Sequence, residues 1–203
     1  MKNWITLLIA SLFTLPALAD HHGGGDSSKY RYGVDTEESY VRWEGTRVGG
    51  GHDGRIMVKE GHLNLRERNL LGGEFVVDMN SIIVDDIKDE SRNARLRNHL
   101  LSDDFFSVEK HPEAKIVVRD AQFGKGGVYN IVADLTIMGE THPVAFDAKI
   151  EENDGVVTAE ADFSIDRTKW GVRYRSGSFF EALGDRMIHD DIKFGVRLSA
   201  KKK

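Results

Sequence analysis

Apolar and polar residues alternate with a period of two along most of the chain after residue 30. In 129–137, for example, every odd position is apolar. Successive side chains of a β-strand point to opposite faces, so this alternation predicts strands with one apolar face each. Similar runs occupy 41–44, 56–58, 63–66, 75–80, 114–119, 144–150, 157–165 and 192–198.

Short turn signals separate these predicted strands. They lie at 124–127, 138–141 and 153–155, and we also predict a turn at 59–61. Short hairpins make neighbouring strands antiparallel. Eight or nine such strands must bury their apolar faces, which a barrel or a sandwich allows. Only a closed barrel leaves no strand edge. The sequence therefore predicts a mainly β protein, a closed antiparallel up-and-down barrel of about eight strands.

Two segments break the alternation. The first, 85–101, is rich in helix formers and predicts one inserted helix, capped by Asp89 or Ser91, that covers an end of the barrel. The second, 167–185, holds several aromatic residues among glycines and serines. We expect it to form a long ordered loop.

The amino terminus has the features of a cleavable signal peptide. Lys2 precedes an apolar run at 4–15, and Ala17 and Ala19 form the small-residue pattern of a cleavage site. The run is shorter than the ~20 residues of a membrane-spanning helix, so no stable membrane insertion is expected. We predict a signal peptide at 1–19, a flexible tail at 20–29, a barrel domain at 30–200 and a periplasmic location.

Cleavage after Ala19 would place His22 third in the mature chain. A terminal amine, two amide nitrogens and an imidazole can hold Cu(II) or Ni(II) in a square plane. The tail 20–29 also reads as an ordinary solvated linker, which is the interpretation that we favour. The sequence does not decide whether this histidine binds copper or nickel.

Composition and motifs exclude several classes of function. The formal net charge of −5 argues against a nucleic-acid partner, and the absence of cysteine excludes disulfides, thiolate metal sites and a cysteine nucleophile. No G-x-S-x-G or P-loop motif occurs, and no closely spaced histidine pair follows the tail. We therefore assign no catalytic residue, no metal site and no cofactor, and expect a protein that is not an enzyme.

The predicted inner face of the barrel is apolar. An eight-stranded barrel has room for packed side chains or for one slender ligand, and the small side chain of Ala133 is expected to leave space for a ligand. On this interpretation Ala133→Trp blocks loading without disturbing the fold. A filled barrel that serves as an interaction module, and an enzyme acting on a small apolar substrate, remain alternatives. The predicted wall residues are Trp43, Phe75, Val77, Ile116, Ile131, Ala133, Leu135, Phe146, Phe163 and Phe194.

Four segments in order, 72–82, 98–114, 133–144 and 163–171, resemble the YceI-like family, and the resemblance extends over about 30–200. The resemblance implies a lipocalin-like periplasmic barrel that holds a polyisoprenoid, such as a quinone tail or a prenyl phosphate. The stretch 174–185 departs from the better-known isoprenoid binders, which leaves the ligand open.

The expected function is therefore the binding and carriage or storage of an isoprenoid lipid. At the mouth of the cavity we place the aromatic residues Phe105, Phe106, Trp170, Phe179 and Phe180. For a polar headgroup we name Arg95, His99 and Arg173. The sequence identifies neither donor nor acceptor proteins, and it leaves the oligomeric state open, with a homodimer among the options.

Overall fold

The computed structural model describes residues 30–202. The predicted signal peptide, the tail and the copper or nickel site at His22 lie outside the described residues. The strands are β1 (Arg31–Val34), β2 (Tyr40–Arg47), β3 (Gly50–Arg66), β4 (Asn69–Asp78), β5 (Ile83–Val84), β6 (Glu113–Phe123), β7 (Val128–Ile137), β8 (Glu140–Asn153), β9 (Val156–Asp166) and β10 (Ile188–Lys202). One α-helix, α1 (Glu90–Leu101), lies between β5 and β6.

Eight strands close into an antiparallel barrel in the order β2-β3-β4-β6-β7-β8-β9-β10, and β10 pairs again with β2. The short β1 pairs with both β10 and β3 beyond the end of β2, so it extends the position of β2 along the barrel. The two-residue β5 pairs with β3 at the opposite end. The predicted fold class, an up-and-down barrel with one inserted helix, is confirmed.

The predicted turn at 59–61 is wrong, because β3 runs without interruption through these residues. The register against β4 instead shifts between Val58 and Glu60, which is a β-bulge. An extra residue in one strand reverses which positions face inward. Ile56 and Val58 before the bulge, and Leu63 and Leu65 after it, are accordingly all buried.

Helix α1 starts later than predicted, at Glu90, with Asp89 as its cap: the Asp89 carboxylate accepts a hydrogen bond from the Arg92 amide at 2.8 Å. The residues before it extend β5, since the Asp85 amide donates to the Asp53 carbonyl at 2.9 Å. The side chain of Asn93 donates to the carbonyl of Val84 at 2.8 Å. These bonds hold the helix at the end of the barrel that we call the helix end.

The segment between β9 and β10 is an ordered loop, as predicted. A 3-10 helix (Arg167–Trp170) begins it, and a second one (Gly184–Arg186) precedes β10. The guanidinium of Arg167, which is 1% exposed, donates to the carbonyls of Val172, Ile188 and His189 at 2.8–3.2 Å. One buried side chain thus ties together both ends of the loop.

The core has two parts. At the end away from the helix, which we call the far end, a packed cluster includes Leu63, Ala133 and Val157. Two tyrosine hydroxyls close this end: Tyr32 donates to Glu152 at 2.6 Å, and Tyr129 donates to the carbonyl of Arg68 at 2.7 Å. The second cluster lies under α1, and the open space inside the barrel lies mainly within it.

Candidate functional site

The larger interior cavity, which we call the main cavity, has a volume of about 90 Å³. Its wall comes from seven of the eight barrel strands, with Met79 and Phe106 closing it towards the helix end. The lining residues are Val41, Ile56, Val58, Phe75, Val77, Met79, Phe106, Ala114, Lys115, Ile116, Leu135, Ile137, Phe163, Phe194, Val196 and Leu198.

Fifteen of these sixteen residues are apolar. The exception is Lys115, whose ammonium lies 2.9 Å from the Glu74 carboxylate, with both side chains about two-fifths exposed. Its charge is therefore satisfied on the solvent side of the wall. The main cavity is an apolar space without a carboxylate, imidazole or hydroxyl in its lining.

A second cavity of about 60 Å³, the upper cavity, lies between the main cavity and α1. Three residues line both cavities: Ile56, Phe106 and Phe194. Arg167 and His189 are among its lining residues, although the surface that faces the upper cavity is almost entirely apolar. The interior is thus apolar throughout, and the polar groups of Arg167 and His189, which we call the polar edge, lie in its wall at the helix end.

The charge at the polar edge comes from Arg167 and its carboxylate neighbours. Burial lowers the pKa of the Arg167 guanidinium, and the nearby carboxylates of Asp190 and Asp166 act in the opposite direction. Asp190 accepts a hydrogen bond from Arg167 at 3.2 Å and another from Ser178 at 2.6 Å. An arginine remains protonated under these conditions, so a paired cation borders the upper cavity.

Most predicted wall residues lie around the interior space. Those that line the main cavity are Phe75, Val77, Ile116, Leu135, Phe163 and Phe194. Trp43 lines the upper cavity, and its indole donates to the Ile83 carbonyl at 3.2 Å.

Three predicted wall residues do not line either cavity. Ile131 and Ala133 belong to the packed cluster at the far end, where Ala133 is 0% exposed. Phe146 stacks on Phe163 with ring centroids 4.6 Å apart, beyond the point where β8 and β9 cease to pair at Ala148 and Ala161. Alternation indicates which way a side chain points, but not whether the space before it is already filled.

The predicted mouth residues divide into three groups. Phe106 lines both cavities and Phe105 lines the upper one. Trp170 is buried, with its indole donating to the Leu135 carbonyl at 3.0 Å, so it fills the wall rather than bordering an opening. Phe179 and Phe180 lie in the loop with about half of their surface exposed.

The predicted headgroup residues do not line either cavity. Arg95 and His99 lie on α1. The centroids of the His99 and Tyr174 rings are 4.8 Å apart, and Tyr174 follows Arg173 in the loop. The structure thus brings these residues to the same end, on the outer surface. Sequence reasoning missed Arg167, because no pattern distinguishes a buried arginine from the 27 other basic residues.

Among residues 30–202, no group of three histidine, aspartate or glutamate side chains is arranged to hold a metal ion. Within the same residues, no helix combines the length and the apolar character needed to cross a membrane.

Comparison with known sequences finds relatives among bacterial proteins designated UPF0312. One from Photorhabdus laumondii is 32% identical over 101 residues, which cover 50% of this chain and 44% of that protein. One from Pectobacterium carotovorum is 26% identical over 146 residues, covering 71% of each chain. The chain therefore spans less than half of the Photorhabdus protein's length.

Solved structures share the fold at low identity. BcnA of Burkholderia cenocepacia superposes with a TM-score of 0.68 at 18% identity, covering 83% of this chain and 99% of that one. A polyisoprenoid binding domain from Saccharophagus degradans, implicated in plant cell wall breakdown, gives 0.60 at 12% identity, covering 85% and 98%. The Campylobacter jejuni YCEI protein gives 0.55 at 17% identity, covering 72% and 83%.

A closed eight-stranded barrel with one inserted helix and an apolar interior is thus the fold that these structures support for this chain. The model of the YceI-like domain matches residues 32–200, which is nearly all of the described part of the chain. The protein belongs to the YceI-like family.

Proposed function

We propose that the protein binds a long isoprenoid lipid, such as a quinone tail or a prenyl phosphate, and carries or stores it in the periplasm without catalysis. The observation that carries this proposal is the apolar interior of the closed barrel, with fifteen apolar residues around the main cavity. The similarity to the polyisoprenoid binding domain of Saccharophagus degradans supports the same class of ligand.

The energetics of apolar burial favour such a complex. Removing about 400 Å² of isoprenoid surface from water contributes roughly 10 kcal/mol. Ordering the chain and losing its free motion cost several kcal/mol of this, and a net gain of about 7 kcal/mol corresponds to a Kd of about 10 μM. No covalent bond to the protein is needed.

A long chain needs more room than the main cavity offers in this conformation. A cavity of about 150 Å³ accommodates benzene in another protein, whereas the main cavity has about 90 Å³. The upper cavity adds about 60 Å³, and the half-buried Phe106 borders both. We infer that rotation of Phe106 joins the two cavities when a ligand enters, and that a long chain also displaces other wall side chains, because the joined space is only about that of a benzene site.

The difference between the two ends of the barrel sets the orientation of the ligand. The far end is packed and closed by Tyr32 and Tyr129, while Arg167 and His189 lie at the helix end. An amphiphile with one polar end therefore places its tail in the main cavity and its headgroup near α1.

Binding fits the interior better than catalysis does. General acid–base catalysis needs a titratable group within hydrogen-bond reach of the substrate. The only ionisable residue that lines the main cavity, Lys115, directs its ammonium to Glu74 outside. A substrate held within the main cavity would meet no proton donor or acceptor.

Mass spectrometry of an organic extract tests the proposal. Protein is purified without detergent from the periplasm of an expressing bacterium, and we expect a stoichiometric isoprenoid in the extract. Amino-terminal sequencing of the same sample is expected to read Asp20 first. An extract without isoprenoid, together with no binding of added ubiquinone, would overturn the proposed ligand class.

A further inference from the structure

Two adjacent phenylalanines, Phe179 and Phe180, project from the loop between β9 and β10. Their exposed fractions are 48% and 52%. Single exposed apolar residues are ordinary, but neighbouring exposed aromatic rings are typical of a surface that contacts another apolar phase. We call the loop residues 173–186 the aromatic loop.

The exposure of these rings is imposed by a well-bonded loop. The amides of Phe179 and Phe180 both donate to the carbonyl of the buried Ser176, at 3.2 and 3.0 Å. The Ser178 hydroxyl donates to Asp190, which Arg167 also contacts. The loop is thus held in a conformation that keeps both rings in water.

Basic side chains lie against two aromatic rings of the loop, those of Phe179 and Tyr174. The Arg173 guanidinium lies 4.5 Å from the centre of the Phe179 ring, and the Arg175 guanidinium lies 5.1 Å from that of Tyr174. Within residues 30–202, none of the aromatic-loop arginines forms an ion pair with a carboxylate. These arginines are Arg173, Arg175 and Arg186.

Helix α1 borders this surface. Its His99 contacts Tyr174 and is paired with the Asp104 carboxylate at 2.9 Å, and the exposed Arg95 lies four residues before His99, on the same face of the helix. Within the aromatic loop the three arginines outnumber the two carboxylates, those of Glu181 and Asp185, so the loop has a small local excess of positive charge, although the whole chain has a net charge of −5. Exposed aromatic rings among unpaired arginines match the interface of a bilayer that contains anionic lipid.

We propose that the aromatic loop docks the helix end of the barrel reversibly on an anionic bilayer surface. Phe179 and Phe180 enter the interfacial region, and Arg173 and Arg175 meet the lipid phosphates. The polar edge of the upper cavity then faces the membrane. This docking is an interaction of the outer surface and does not require the interior to hold an isoprenoid.

Vesicle flotation tests the docking with the protein as cells produce it, so that every variant has the same amino terminus. Vesicles of phosphatidylethanolamine and phosphatidylglycerol are compared with vesicles of phosphatidylcholine alone. We expect the double variant Phe179→Ser/Phe180→Ser to bind the anionic vesicles at least about tenfold more weakly than the wild type. Arg173→Gln is expected to weaken binding about fivefold on anionic vesicles at low salt, and far less at high salt.

Phe123→Ser is the matched control. Phe123 is 49% exposed and ends β6 at the far end of the barrel, so its loss should change vesicle binding by less than about twofold. Equal binding by the wild type and the double variant, or an equal loss in Phe123→Ser, would overturn the docking. Circular dichroism establishes that each variant is folded.

Two further results distinguish membrane docking from self-association and from binding of the isoprenoid. A dimer that forms without vesicles and dissociates in the double variant would assign the aromatic loop to a second copy of the chain, and the proposal would be wrong. Isoprenoid content is measured in parallel. If protein without isoprenoid binds vesicles, the docking is supported and the proposed ligand is not. If protein that contains isoprenoid does not bind vesicles, the proposed ligand is supported and the docking is overturned.

Discussion

Two alanines in neighbouring strands show how the interior is divided at the scale of single residues. Ala114 in β6 and Ala133 in β7 are both buried and both belong to apolar runs. Ala114 lines the main cavity, whereas Ala133 has neighbours on every side in the packed cluster. The same side chain thus faces open space in one strand and a filled core in the next.

Enlarging these two alanines should therefore have opposite effects. Ala114→Leu places three additional carbon atoms in the main cavity, so we expect unchanged or slightly raised stability and a large loss of bound isoprenoid. The measurements are the midpoint of unfolding in urea and the isoprenoid content by mass spectrometry. Full loading of a stable Ala114→Leu protein would contradict our placement of the ligand.

Ala133→Leu is the matched control for this pair. Adding the same atoms to a packed region forces neighbours from their preferred rotamers and costs about 1–3 kcal/mol of unfolding free energy. For the same reason, Ala133→Trp is now expected to destabilise the barrel instead of blocking a cavity. An Ala133→Leu protein as stable as the wild type would show that the far end is less tightly packed than the structure indicates.

At the scale of elements, the sequence predicts the strands well and their irregularities poorly. Period-two runs correspond to the strands of the barrel, because one face of each is buried. The bulge at Val58–Glu60 looks like a turn in the sequence, since both features reverse the alternation and Gly61 suggests a chain reversal. Whether the segment forms a bulge or a turn depends on its pairing with β4, and the sequence of one strand does not show how that strand pairs.

The loop before β10 depends on one buried side chain. Arg167→Met removes the donors to the carbonyls of Val172, Ile188 and His189 and leaves Asp190 without its cation. We expect a loss of about 3–5 kcal/mol in unfolding free energy, because the buried partners lose their bonds. Hydrogen exchange should show the loss of protection first in the loop.

Arg119→Met provides the comparison for Arg167. Arg119 also pairs with a carboxylate, that of Asp134 at 2.6 Å, but its side chain is 61% exposed. An exposed pair contributes at most about 1 kcal/mol, so this variant should be nearly as stable as the wild type. Equal effects of the two substitutions would mean that Arg167 does not organise the loop.

For the whole molecule, closure of the barrel and its apolar inner face could be predicted from the sequence. The position of the cavity could not, because it depends on the summed volumes of side chains from eight strands. The polar edge formed by Arg167 and His189 is equally hidden in the sequence, since these residues are distant along the chain from most of their neighbours in the upper cavity.

The closed far end has a pH dependence of its own. The hydrogen bond from Tyr32 to Glu152 raises the pKa of Tyr32 to about 12. A phenol with a raised pKa in the folded state favours folding below the ordinary pKa of about 10, and this contribution disappears as the pH rises towards 12. The wild type should therefore lose its stability advantage over Tyr32→Phe between about pH 10 and 12.

Urea unfolding of both proteins at a series of pH values measures this difference. Tyr40→Phe is a suitable control, because within residues 30–202 the Tyr40 hydroxyl makes no side-chain hydrogen bond. A gap between wild type and Tyr32→Phe that stays constant up to pH 12 would show that the bond to Glu152 does not hold the far end closed.

The two tyrosine bonds close the far end, so in the proposed complex we expect the isoprenoid to enter and leave at the helix end. The atoms that enter first would then be the last to leave. The hydrophobic end of the lipid would lie deepest, and its polar end would stay nearest the opening. A receiving protein or membrane would therefore contact the headgroup before the tail.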